Sequence, residues 1–209
     1  MKRVKVYVEG ATRGKGSQPT INIEFRRAFH KFAEKLNLKY LPEFVPCAGR
    51  TQAWEIAYEK FLTHDEGEIV MLLVDSEEPS KYPATEAWQH LRDREHDKWT
   101  DLKASNKRYV FMMAVTMEAW LLADPEGLAR YCGQGFKPGK IPAWPDIEAV
   151  SKDDINDTLE AVTVGSEKPY EKGKRSFEAL GAINPKTVAE KCPHAAQFIK
   201  RLAADCNAG

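Results

Sequence analysis

Cysteine is scarce and scattered in this sequence. The four thiols of the 209-residue chain, Cys47, Cys132, Cys192 and Cys206, form no C-x-x-C pair. That argues against a disulfide framework and a cysteine-based zinc site, and makes a reducing cytoplasm the expected location. Net charge is also missing, since 31 Lys and Arg balance 31 Asp and Glu. No global field therefore draws the chain to nucleic acid or to an anionic membrane, although local patches remain open. No apolar run is long enough to cross a bilayer, so no membrane association is expected. The Val4 to Val8 run is too short for a signal-peptide core and ends in Glu9. No serine stands in a G-x-S-x-G elbow. The histidines His30, His64, His90, His96 and His194 lack metal-ligand spacing, and surface or capping roles are expected for them. There is no internal repeat and no low-complexity segment.

What is present is enough for a core. Hydrophobic residues make up 43% and charged residues 30% of the chain, with a mean hydropathy of −0.52. The length suits one α/β domain with a small helical annex. Short β-branched-rich runs at residues 2–8, 69–74 and 109–115 read as buried parallel strands. Residues 40–47 read as a further strand, an edge or an irregular one because of Pro42 and Pro46. Helices are expected over residues 20–36, where Ile21, Phe25, Phe29, Phe32 and Leu36 recur at helical spacing. Others are expected from Gly49-Arg50-Thr51 onward, over 84–99, and over 117–123 with Thr116 as its cap. This β-α-β-α-β-α-β order predicts a mostly parallel sheet of about four strands flanked by helices. Trp54, Trp88 and Trp120 are expected in the core. The division is residues 1–125 as the α/β domain, then 126–209 as a loop-rich linker and C-terminal helical segment packing on it. Within that segment an acidic helix at 151–164, capped by Ser151 with Asp154, precedes helices at 176–180 and 187–202.

Carboxylates end two of the strands. Val8 is followed by Glu9, and Val74 by Asp75-Ser76-Glu77. In open α/β sheets ligands gather beyond the carboxyl ends of the strands. If the backbone stays extended past Asp75, residues two apart face one side. The three acids then share a crevice, and crowded acids call for a divalent cation such as Mg²⁺ or Mn²⁺. Solvated loop acids or helix caps are the alternative reading.

The segments Val6-Tyr7-Val8-Glu9-Gly10, Leu72-Leu73-Val74-Asp75-Ser76-Glu77 and Val115-Thr116-Met117-Glu118-Ala119-Trp120 resemble the Toprim-like proteins in residue type, order and placement. The chain is most similar to a bacterial Toprim-related group of unknown function often encoded near ATPases in defence islands. Overcoming-lysogenization-defect nucleases and RloB-like proteins are more distant relatives by pattern. The resemblance covers about the first two thirds of the chain and, more weakly, the tail from Tyr170 to Phe177. It implies a Toprim-like fold and a metal-dependent nuclease, acting in phage defence with a partner ATPase. Glu9 then serves as general acid/base or metal ligand, and Asp75, Glu77 and Glu118 as further metal ligands. Glu77 departs from the Asp-x-Asp of the family. Lys172 and Lys174 are the candidate catalytic cations, and Arg13, Lys15 and Arg175 the candidate nucleic-acid contacts.

Two other readings stand beside this one. A non-catalytic Toprim-like module that docks nucleic acid or an ATPase fits the Glu77 departure and the zero net charge. A small P-loop-like NTPase is the third, because Gly10 to Ser17 lies between a strand and a helix. That loop misses the G-x-x-x-x-G-K-[ST] rule by one residue, and Gly16 follows Lys15 where a hydroxyl is required. DNA versus RNA, cleavage specificity and oligomeric state are left open by the sequence.

Overall fold

A computed structural model describes residues 3–10, 19–63 and 66–208, with the side chains of residues 19 and 20 excepted. Four strands, β1 (Arg3–Glu9), β2 (Glu43–Cys47), β3 (Glu68–Asp75) and β4 (Val110–Met113), form one sheet in the order β2-β1-β3-β4. Every neighbouring pair is parallel. β2 is an edge strand, so Pro46 costs no ladder hydrogen bond on its open side. Strand order reverses at β1, which makes the crevice between β1 and β3 the topological switch point.

Alternation along the strands feeds two cores. Val4, Val6, Val8, Met71, Leu73, Phe111 and Met113 face one, and Tyr7, Leu72, Val74, Val110 and Met112 the other. The second core is covered by α2 (Arg50–Thr63) and α3 (Ala87–Arg92), through Trp54, Trp88 and Leu91. A short helix α4 (Ala104–Lys107) leads into β4. The first core is larger. It is covered by α1 (Pro19–Glu34), α5 (Glu118–Ala123), α6 (Pro125–Cys132), α7 (Lys152–Thr163), α8 (Lys174–Ala182), α9 (Pro185–Lys191) and α10 (Pro193–Asn207). Phe25 of α1 meets Phe177 of α8 edge-on at 5.1 Å, and Phe111 of β4 meets Phe198 of α10 at 5.5 Å. Residues beyond 126 thus belong to the same core as the sheet. Trp120, fully buried, stacks on Phe32 at 5.5 Å; burying one such side chain stabilises by about 2–3 kcal/mol.

Several local expectations are corrected. The helix expected over 84–99 ends at Arg92. The chain turns back, with Lys98 at φ 47°, so that Trp99 stacks on Trp54 at 4.6 Å. The helix expected over 187–202 is two helices, because Pro193 forces Cys192 into extended backbone (φ −124°, ψ 94°). Residues 126–132, expected to belong to the linker, form α6 together with Pro125, capped by the Asp124 carboxylate on the Gly127 N–H. Ser151 does cap α7, accepting from the Asp154 N–H. Thr116 is not a cap; its hydroxyl donates to Glu118 at 2.6 Å. His90 and His194 are buried rather than superficial. His194 Nδ1 meets Glu148 at 2.7 Å, and His90 Nε2 lies 3.5 Å from the Ser76 carbonyl.

Candidate functional site

The switch point places Glu9, at the end of β1, beside Asp75, at the end of β3. Pairing of Val8 with Leu73 brings the two strand ends level. The Glu9 carboxylate then accepts the backbone N–H of Asp75 at 3.2 Å. Strand alternation points Asp75 toward the larger core, where its Oδ1 accepts the Met117 N–H at 3.0 Å. Glu118, the first residue of α5, lies on that side and is buried. One of its oxygens accepts the Thr116 hydroxyl at 2.6 Å and the other the Tyr170 hydroxyl at 3.1 Å.

The backbone does not stay extended after Asp75. Glu77 takes a left-handed conformation (φ 66°), and so does Val115 (φ 63°) opposite it. The Glu77 N–H donates to the Val115 carbonyl at 2.9 Å, and the Val115 N–H to the Ser76 hydroxyl at 2.6 Å. A β-branched residue at positive φ costs on the order of 1–3 kcal/mol, and such strain gathers at functional sites. The expected same-side geometry of Asp75 and Glu77 is therefore replaced by a turn, and the Glu77 carboxylate binds the Lys152 ammonium of α7 at 2.5 Å.

The electrostatics record the crowding. Burial pushes the Asp75 carboxyl well above the usual carboxylate range, and Glu9, Glu118 and Glu77 push the same way against Lys152. Glu9 is raised too, by burial and by Glu77, with Arg50 opposing. Burial also works against ionised Glu77, but its bond to Lys152 and the charges of Arg50 and Arg94 outweigh that and hold its pKa low. Lys152 is desolvated yet raised by Glu77, Asp75 and Glu118. Asp75 thus feels the charge of the other three acids.

Two cations that sequence reasoning did not single out stand among them. Arg50, at the start of α2, places Nε 3.9 Å from Glu9, binds the Asp75 carbonyl and pairs with Asp97 at 3.0 Å. Its signal was legible: Gly49-Arg50-Thr51 follows β2 as Gly10 follows β1, at the ligand-collecting end of the sheet. Lys152 carried no local signal, because only the packing of α7 on α5 brings it in. Lys172 and Lys174 are exposed, and Lys174 pairs with Glu178 at 3.9 Å. Arg175 pairs with Glu171 at 3.4 Å and donates to the Pro169 carbonyl. Among the described residues, none of these three has a hydrogen bond or ion pair to Glu9, Asp75, Glu77 or Glu118. That tail reaches the acids through Tyr170 instead. Arg13 and Lys15 lie outside the described residues.

Four carboxylates supply hard oxygen donors of the kind Mg²⁺ and Mn²⁺ prefer. Among the described residues, no three Asp, Glu, His or Cys side chains are already drawn together as a metal cage. Glu9 meets Asp75 through the Asp75 backbone N–H, while the Asp75 carboxylate itself accepts the Met117 N–H. No helix among the described residues is long and apolar enough to cross a membrane. No curated protein and no solved structure matches the chain. Residues 8–203 match a domain family of unknown function, and the chain belongs to that family, DUF4276.

Proposed function

We propose that the crevice between β1 and β3 is a Toprim-type, metal-dependent site that hydrolyses phosphodiesters in nucleic acid. One observation carries the reading: Glu9 and Asp75 meet at the switch point, joined through the Asp75 N–H, with Glu77 and Glu118 beside them. Glu9 and Asp75 would hold Mg²⁺ or Mn²⁺, and the ion supplies charge neutralisation at phosphate and activation of water. Arg50 fixes the end of β3 by binding the Asp75 carbonyl, which keeps the two acids in register. Lys152 neutralises Glu77 and presents its remaining N–H groups to a phosphate oxygen, where charge develops in the transition state. Glu118, held by Tyr170 and Thr116, orients water on the far side of Asp75. The basic tail from Lys172 to Arg175 flanks this crevice through Tyr170 and contributes contacts to the nucleic-acid backbone. A partner ATPase and a role in phage defence belong to the same proposal, on the resemblance of the three strand-end motifs.

The test combines metal-dependent melting with hydrolysis. Mn²⁺ or Mg²⁺ raises the melting temperature of the native protein and not of Glu9→Gln. The native protein cleaves labelled DNA or RNA, and both Glu9→Gln and Asp75→Asn lose that activity. Equal activity in all three proteins, or no metal response in the native one, overturns the reading. A second reading is favoured by the Glu77–Lys152 pair, which takes one of the four motif acids out of service. In it the domain binds nucleic acid or an ATPase without cleaving, and the native protein shows binding with no hydrolysis at any metal concentration.

A further inference from the structure

The opposite pole of the sheet carries a different electrostatic character. At the amino ends of β1 and β3, a cleft of about 590 Å³ opens between α2, α4 and the strands. It is lined by Arg3, Lys5, Lys60, Lys103 and Arg108, against one acid among the described residues, Glu68. Glu68 is already spent, since it pairs with Lys5 at 2.7 Å. Among the described residues, Arg3, Lys60, Lys103 and Arg108 have no ion-pair partner, and all four are exposed. A chain with no net charge therefore concentrates four uncompensated cations in one concave surface. Thr63 and Ser105 line the same cleft, with their hydroxyls donating to the Glu59 carbonyl and to Asn106. Lysine and arginine are the usual partners of phosphate oxygens along a nucleic-acid backbone.

We propose that this cleft is a second nucleic-acid-binding surface, engaging the phosphate backbone without reading sequence. It lies at the other end of β3 from Asp75, about 23 Å away at ~3.3 Å per residue. It thus anchors a strand remote from the acids. Of the two aromatics that line it, Phe61 is buried in the core, and Tyr109 has its ring occupied by the guanidinium groups of Arg108 at 5.1 Å and Arg201 at 4.4 Å. Base stacking is thereby blocked, which leaves the backbone as the group recognised. The inference stands apart from the hydrolytic reading, because binding here needs neither metal nor Glu9.

The experiment is fluorescence anisotropy of the full chain with a labelled 30-nucleotide single strand across a salt series, in EDTA. Four phosphate contacts give a slope of log affinity against log salt near −3, at about 0.7 per neutralised phosphate. Lys103→Gln/Arg108→Gln should bind at least about ten-fold more weakly, with roughly half that slope, at an unchanged melting temperature. Its metal-dependent hydrolysis of a small phosphodiester, bis(p-nitrophenyl) phosphate, should match that of the native protein. Glu9→Gln should bind as the native protein does, which separates failure of the cleft from failure of the catalytic reading. Unchanged affinity and slope in the double variant overturn the proposal. So does a loss of affinity in Glu9→Gln instead, or equal competition by poly-glutamate, which would mark an acidic protein as the occupant.

Discussion

Asp75→Asn should stabilise the protein while abolishing its chemistry. The side chain keeps its size, and the Asn Oδ1 can still accept the Met117 N–H that Asp75 accepts at 3.0 Å. What disappears is a buried negative charge that Glu9, Glu118 and Glu77 repel. An acid whose folded-state pKa is raised is protonated in the native state while the unfolded chain has already lost its proton. Stability therefore falls as pH rises from the unfolded value, 3.8, through the folded one, and the full penalty is present above that. Relief of such functional crowding commonly yields about 0.5–2 kcal/mol. For a chain of this length each kcal/mol moves the melting temperature by about 2–4 °C. Asp75→Asn should thus melt a few degrees higher than the native protein at pH 7.5, with the gap closing as pH falls below 4. Metal-dependent hydrolysis should drop on the order of 10²-fold or more. Differential scanning calorimetry across pH, with a parallel hydrolysis assay, decides the matter. A variant less stable than the native protein at pH 7.5, or a gap that does not narrow in acid, would refute the electrostatic account of this crevice.

Other outcomes follow from the same structure. Lys152→Met removes the partner that holds the Glu77 pKa low, and with the pair part-exposed the cost should be about 1 kcal/mol. A lowered acid stabilises above its unfolded pKa and loses that contribution as pH falls through the folded one. The penalty in urea titrations should therefore be present at pH 7 and disappear toward pH 3. Asp124→Ala removes a carboxylate that accepts from Gly127 at 3.1 Å and from Asn184 at 2.7 Å. It should cost about 2 kcal/mol, one cap plus one unsatisfied N–H, read as a lower urea midpoint at constant slope.

Much of the architecture was legible because strands and helices announce themselves by period. The β-branched runs ending in Glu9 and Asp75 are strands, and β2, which Pro42 and Pro46 left as edge or irregular, is an edge. Ser151 and Asp154 announced the start of α7. The failures came where a distant partner overrode local pattern. Trp99 looked like the end of an amphipathic helix, but its stacking on Trp54 is worth more than a further helical turn. Thr116 looked like a cap, but a buried Glu118 required its hydroxyl. Among site residues, Glu9 and Asp75 could be named because strand ends collect ligands. Lys152 could not, since nothing within its own segment distinguishes it from any other lysine on a helix.

The sequence by itself determined the layer order of the fold and the acids that terminate β1 and β3. These are consequences of side-chain period and chain order, which local physics sets. Only the tertiary structure decided which charges meet. Glu77 turned away at a left-handed residue toward Lys152, and Arg50 came to the end of β3. Four cations with no ion-pair partner among the described residues collected at the far pole of a chain with no net charge. Electrostatic energy depends on separation and burial in space, and neither is written in the order of residues along a chain.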